Sequence, residues 1–162
     1  KASQSQIDTG TWLNNGGKIM AVVLNKEQIM EIIPHRDPFL LIDEVNELEV
    51  GKRVVATKYM KEDEFWFKGH FPGYPVTPGV LMVEMCAQAG AVALLALPEN
   101  KGKIGLFGGI KDCKFRQQVL PGDTLKIEVE IIKVKGPIGV GKALATVNGK
   151  KAVSAEITFA IK

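Results

Sequence analysis

The stretch PGVLMVEMCAQAGAVALLAL, residues 78–97, decides the fold of this chain. Apolar side chains fall on every face of the helix that it predicts, so this helix must be buried nearly all round. Thr77 is suited to cap the helix, and Pro78 at its first position costs nothing because the N–H there would have no partner. Pro98 ends it. A helix buried on every side needs a sheet that curls around it.

The segments on either side of this helix predict that sheet. A short amphipathic helix capped by Asn25 is expected over residues 24–33, and one helical turn over residues 62–68. β-Strands are predicted from alternating or β-branched residues over residues 39–45, 52–60, 104–116, 125–134, 141–147 and 152–161. Gly108-Gly109 indicates a bulge, and Asn148-Gly149 indicates a hairpin turn.

These elements predict an α+β fold in which a long central helix is wrapped by a curled antiparallel β-sheet. The edge strands of such a sheet carry unpaired N–H and C=O groups. A dimer that joins the sheets edge to edge would protect those groups.

Composition excludes several classes of protein. The chain has 162 residues, 46% hydrophobic and 24% charged, which suits one compact domain. A net charge of +3 without a dense Lys/Arg block argues against nucleic acid as the partner. Cys86 and Cys113 are too few for a disulfide framework or a zinc site, so we interpret them as buried free thiols, which fits a reducing cytoplasm. No apolar run reaches the length of a membrane span.

The first nineteen residues differ from the rest of the chain. Residues 1–19 are rich in small polar residues and lack the pattern of a signal peptide. We interpret them as a leader added for expression or as a disordered native tail. Residues 20–162 are then expected to form a single domain.

Glu84 is the single carboxylate between residues 69 and 98, where there is also no Lys or Arg. An ionised carboxylate is costly to bury in so apolar a helix, and this leaves three alternatives. The carboxylate is solvated, it is paired with a basic residue from elsewhere, or it stays protonated and can donate a proton. Gln88 shares its helix face one turn later.

Two further candidates precede Glu84. His70 lies in a loop stiffened by prolines and glycines, where it is either a general base or a histidine hydrogen-bonded to the backbone. Gly79 lies in the first turn of the helix, where N–H groups lack intrahelical partners. It either holds a carbonyl oxygen that becomes negative or merely starts the helix tightly. His35 has no acid-bearing apolar helix close to it in sequence, and we interpret it as structural.

Four stretches carry a resemblance to a known family: IPHRDPFLLIDEV (33–45), GHFPGYPVTPGVLMVEMCAQAG (69–90), KDCKFRQQVLPGD (111–123) and the closing strands through AEITFAIK (155–162). Over residues 24–162 the chain resembles the β-hydroxyacyl-acyl-carrier-protein dehydratases of type II fatty acid synthesis, the FabZ type. The resemblance implies a hot-dog fold and a homodimer with shared active sites, commonly arranged as a trimer of dimers.

The resemblance also implies a reaction. The histidine and glutamate of the family motif are catalytic, come from different subunits, and correspond to His70 and Glu84. The expected chemistry dehydrates a (3R)-3-hydroxyacyl thioester on acyl carrier protein to the trans-2-enoyl thioester. Gly79 polarises the carbonyl, His70 removes the α-proton and Glu84 protonates the leaving hydroxyl. No metal or redox cofactor is expected, because the thioester itself activates the α-proton. The related FabA type has aspartate where this chain has Glu84, which favours plain dehydration.

Binding residues are expected around this motif. Candidates that would line the acyl tunnel or orient the reacting groups are Gln88, Phe71, Val76, Leu106, Phe107 and Ile110. Carrier proteins are acidic and carry the substrate on phosphopantetheine, so exposed basic residues are candidates for docking, with simple solubility as the alternative. These are Lys111, Lys114, Arg116, Lys133 and Lys135. Two other functions remain open, a hot-dog acyl-thioesterase and a non-catalytic module that binds acyl thioesters.

Overall fold

The computed structural model describes Ser5–Gln6, Trp12–Leu13 and residues 24–162. Ser5–Gln6 (β1) and Trp12–Leu13 (β2) pair as two short antiparallel strands. The remainder of residues 1–19 lies outside the described residues, so the interpretation of this segment as a leader or tail stays a prediction.

Residues 24–162 form two α-helices and one six-stranded sheet. Helix α1 spans Lys26–Ile32 and helix α2 spans Gly79–Leu95, followed by a short 3-10 helix at Pro98–Asn100. The strands are β3 (Glu44–Glu49), β4 (Arg53–Tyr59), β5 (Gly105–Phe115), β6 (Thr124–Lys135), β7 (Ile138–Val147) and β8 (Lys150–Ile161). They form one antiparallel six-stranded sheet in the order β3-β4-β6-β7-β8-β5.

Helix α2 lies at the centre of this sheet and contacts all six of its strands. Every residue from 85 to 95 is buried. Gly90 lets the sheet come close, because a Cβ there would lie 2.5 Å from Cζ of Phe159 on β8. The expected central helix with an antiparallel sheet around it is therefore confirmed. No helix within the described ranges is long and apolar enough to cross a membrane.

Several local predictions are confirmed as well. Asn25 and Gln28 form a reciprocal capping box at the start of α1, with both hydrogen bonds 2.9 Å long. Asn148 and Gly149 have φ angles of 50° and 77°, which suits the tight turn between β7 and β8. The register of β5 against β8 shifts between Phe107 and Gly109, where the bulge was expected.

Three local predictions are wrong. The strand expected from residue 39 begins only at Glu44, because the backbone of residues 39–41 is hydrogen-bonded by the Gln88 side chain instead of by a neighbouring strand. Residues 62–68 form successive turns instead of a helical turn. Thr77 does not cap α2: the N-cap is Pro78, and the Thr77 hydroxyl lies 3.7 Å from Met60 Sδ.

The two edges of the sheet differ. On the β3 edge, Leu24 forms a bridge to Val45. On the other edge, β5 pairs with β8 along one side, and no described strand pairs with its other side. Four large apolar side chains of β5 are 44–52% exposed, namely Leu106, Phe107, Ile110 and Phe115. Such an edge is a template for pairing with another chain.

Candidate active site

His70 lies beside an open groove of about 610 Å³ at the N-terminal end of α2. Phe71 and Tyr74 exchange two backbone hydrogen bonds of 2.8 Å, which close the loop that follows His70. The ring Nδ1 of His70 lies 2.7 Å from the carbonyl oxygen of Val76. Because a carbonyl only accepts, Nδ1 carries the hydrogen and Nε2 carries the lone pair. The backbone hydrogen bond thus positions the ring with its basic nitrogen available.

Gly79 lines the same groove and begins α2. No side chain caps the helix, and within residues 24–162 the N–H of Gly79 has no hydrogen-bond acceptor. A Cβ at this position would lie 2.7 Å from Cε1 of Phe115, so glycine admits this ring beside the first turn. The groove therefore combines an imidazole lone pair with an N–H donor at the positive end of a helix.

Glu84 lies one and a half turns further along α2, with 17% of its side chain exposed. Its Oε1 accepts a hydrogen bond of 3.0 Å from Nε2 of Gln88. The Gln88 amide is itself fixed, since it accepts from the Leu41 N–H and donates to the Phe39 carbonyl, both at 2.8 Å. Both amide hydrogens of Gln88 are therefore used, and the carboxyl of Glu84 is held by a side chain that cannot turn freely.

His35 contacts the same carboxyl, with its Nε2 3.6 Å from Oε1 of Glu84. Burial lowers the pKa of His35 below its ordinary value of 6.5; Glu84 acts to raise it and Arg36 to lower it. Sequence reasoning missed this contact, because the loop that carries His35 and the helix that carries Glu84 are far apart along the chain. Pro34 and Pro38, which flank His35, were the local sign of a fixed position.

Within one chain, His70 and Glu84 line different cavities. Glu84, Gln88 and His35 line a small cavity of about 30 Å³, which is also bounded by Leu106 and Phe107. None of the residues that line this cavity lines the groove beside His70. The candidate base and the candidate acid therefore line two separate cavities of the same chain.

The other predicted residues divide between these two cavities and the open surface. Val76 lines the groove, and the exposed ring of Phe71 stacks on His70 with centroids 4.0 Å apart. Ile110 is exposed and lines neither cavity. Arg116 lines the groove beside His70. The remaining basic candidates are all exposed, namely Lys111, Lys114, Lys133 and Lys135.

Comparison with known proteins places this architecture in a family. Residues 33–156 match the family model of the FabA-like domain. This is most of the chain, which therefore belongs to the FabA-like family.

Curated relatives narrow the assignment. The chain is 59% identical over 140 residues to the "3-hydroxyacyl-[acyl-carrier-protein] dehydratase FabZ" of Clostridium novyi, which covers 86% of this chain and 99% of the relative. The protein of the same name from Staphylococcus aureus is 59% identical over 143 residues, 88% of this chain and 98% of the relative. These relatives place the chain with the FabZ type and confirm the resemblance seen in the sequence.

A solved structure supports the fold. A chain of the dehydratase heterocomplex ApeI:P from Xenorhabdus doucetiae superposes with a TM-score of 0.71 at 16% sequence identity, covering 83% of this chain and 90% of that one. The expected hot-dog fold is thereby confirmed.

Proposed function

We propose that this protein dehydrates (3R)-3-hydroxyacyl thioesters on acyl carrier protein to trans-2-enoyl thioesters in type II fatty acid synthesis. The observation that carries the proposal is the groove that His70 and Gly79 both line, with Nδ1 of His70 held by the Val76 carbonyl. The names of relatives at 59% identity agree with it. The free thiols of Cys86 and Cys113 fit the cytoplasm as its compartment.

The reaction follows from the chemistry of these groups. The Gly79 N–H donates a hydrogen bond to the thioester carbonyl oxygen and stabilises the negative charge that develops there. His70 Nε2 removes the α-proton, which the polarised thioester has made more acidic. The Cβ–O bond then breaks, its electrons leave with the hydroxyl, and the carboxyl of Glu84 supplies the proton that turns the hydroxyl into water. The double bond forms between Cα and Cβ.

We expect the groove of one copy of the chain to meet the Glu84 cavity of another copy when the two associate. Within one chain His70 and Glu84 line separate cavities, so a complete site needs a groove from one protomer and a carboxyl from the other. The unpaired β5 edge and the exposed apolar side chains near it offer the surface for this contact. Val80, which is 74% exposed at the groove, belongs to that surface. We expect a homodimer with two shared sites, further assembled as a trimer of dimers.

Arg116 is the basic candidate that best fits a role in docking the carrier protein. It lines the groove beside His70, where the phosphopantetheine arm of the substrate would enter. Lys111 fits less well, because the sheet register places it opposite the acidic side chain of Glu156. A row of alternating charges crosses all six strands through Lys111, Glu156, Lys142, Glu130, Arg53 and Glu49. Lys114, Lys133 and Lys135 lie outside this row and remain docking candidates.

The activity is tested by the reversible hydration of a crotonyl thioester. We expect wild-type protein to turn it over, and His70→Ala and Glu84→Gln each to lose about a hundredfold or more, as is typical of general acid–base groups. Release of free thiol from a 3-hydroxyacyl thioester without enoyl absorbance would instead show a thioesterase. Substrate binding without any turnover by the wild type would show a binding module.

The shared site is tested by mixing the two inactive variants. A mixed dimer of His70→Ala and Glu84→Gln chains contains one intact site, formed by His70 of one chain and Glu84 of the other. Random mixing makes half of the dimers mixed, so about a quarter of the wild-type activity should return. No recovery in a mixture shown by mass to contain mixed dimers would reject the shared site.

A further inference from the structure

Two nitrogen atoms from other side chains face Oε1, one of the two carboxyl oxygens of Glu84. Nε2 of Gln88 donates to Oε1 at 3.0 Å, and Nε2 of His35 lies 3.6 Å from the same oxygen. Within residues 24–162, no hydrogen bond reaches Oε2. The two oxygens of the proposed acid are therefore not equivalent, and the difference is made by residues from two distant parts of the chain.

We propose that His35 is a positioning residue for the acid: its Nε2–H and the Gln88 amide together hold Oε1, so that the transferable proton of Glu84 sits on Oε2, facing the substrate. The inference rests on the proposed function. An oxygen that receives N–H donors cannot also carry a proton pointed at them, because the hydrogens would repel each other. His35 thus fixes which oxygen donates, without contacting the substrate.

Positioning Glu84 requires a hydrogen on Nε2 of His35, and the surroundings of the ring place it there. Its Nδ1 is buried and has no hydrogen-bond partner among the residues that the structure describes. A buried N–H without a partner is rarer than a buried acceptor without one, so the hydrogen belongs on Nε2, toward Glu84. The separation of 3.6 Å is longer than a hydrogen bond, and catalytic hydrogen bonds commonly tighten when substrate binds.

The charge of the ring also matters. An imidazolium beside Glu84 would form an ion pair with the carboxylate and remove the proton that the reaction consumes. Burial disfavours that charged form and lowers the pKa of His35, against the smaller raising effect of Glu84 and together with the lowering effect of Arg36. Arg36 also fixes the loop, since its guanidinium donates to the carbonyls of Met30, Ile33 and His35.

Two variants that differ by one methylene test this role. The amide nitrogen of glutamine reaches the position of the histidine Nε2, whereas that of asparagine reaches only the position of Nδ1. We expect His35→Asn to lower kcat for dehydration about tenfold with little change in KM, and His35→Gln to stay within about threefold of wild type. Equal kcat values for the two variants, at either level, would overturn the proposal.

A half-reaction separates positioning of the acid from general damage. Exchange of the α-proton of a butyryl thioester in D₂O needs the base and the Gly79 N–H but no acid, because this substrate has no β-hydroxyl. The rates of exchange should be the same in the Asn and Gln variants. If exchange falls together with dehydration in His35→Asn, the role is structural and the proposal is wrong. A wild-type protein that exchanges but never dehydrates would overturn the proposed function itself, and this inference with it.

Discussion

Gln88 donates a hydrogen bond of 3.0 Å to Glu84, one turn before it in α2, and the same amide binds the backbone of residues 39–41. The amide occupies the place that a neighbouring β-strand would otherwise take, and this is why residues 39–41 do not join the sheet. A polar side chain that is only 1% exposed thus connects the central helix, an extended segment and the candidate acid. Its hydrogen bonds use its full donor capacity, as buried polar groups generally do.

Removing this amide should affect both stability and turnover. Gln88→Leu leaves the buried N–H of Leu41 without its acceptor, which costs about 1–3 kcal/mol of unfolding free energy. Turnover should also fall, because the Glu84 carboxyl loses the donor on Oε1. Urea denaturation together with crotonyl thioester hydration measures both effects. An unchanged denaturation midpoint would mean that water or another group replaces the amide.

Substitutions at Gly79 and Phe115 can separate the steric role of Gly79 from the chemical role of its N–H. Gly79→Ala keeps the N–H but places a Cβ 2.7 Å from Cε1 of Phe115, so kcat/KM should fall. Adding Phe115→Ala removes the obstructing ring, and the double variant should recover much of the activity lost by the single one. Phe115→Ala alone is the matched control, since Phe115 also lines the groove. A double variant as inactive as Gly79→Ala would show that the clash is not the cause.

The buried His35 should make the protein less stable in mild acid. The pKa of His35 is lowered in the folded protein mainly by burial, whereas in the unfolded chain it stays near 6.5. Below that pH the unfolded chain binds a proton that the folded protein does not, so stability falls as the pH drops through this region. The midpoint of thermal unfolding, measured from about pH 8 to about pH 5, should decrease more steeply for wild type than for His35→Asn. Parallel curves would contradict this prediction.

Much of the fold could be predicted because its signals are local. The apolar run of α2, the Asn25 cap and the Asn148-Gly149 turn each depend on a few neighbouring residues, and all three are confirmed. The prediction failed where a distant side chain intervenes. Residues 39–43 have the composition of a strand, but Gln88 binds part of their backbone first. Threonine is a residue type that commonly caps helices, but the hydroxyl of Thr77 faces Met60 instead.

The sequence by itself determined that a helix buried on all sides would be wrapped by an antiparallel sheet, and it identified His70, Gly79 and Glu84 as candidates. The buried helix and Glu84 follow from the cost of burial, Gly79 from the chemistry of helix ends, and His70 from its place in a loop stiffened by prolines and glycines; all of these act over a few residues. Only the tertiary structure showed that His70 and Glu84 line separate cavities and that His35 faces the Glu84 carboxyl. Such contacts depend on how the loop, helix and sheet pack against one another, and no periodicity in the chain encodes that packing.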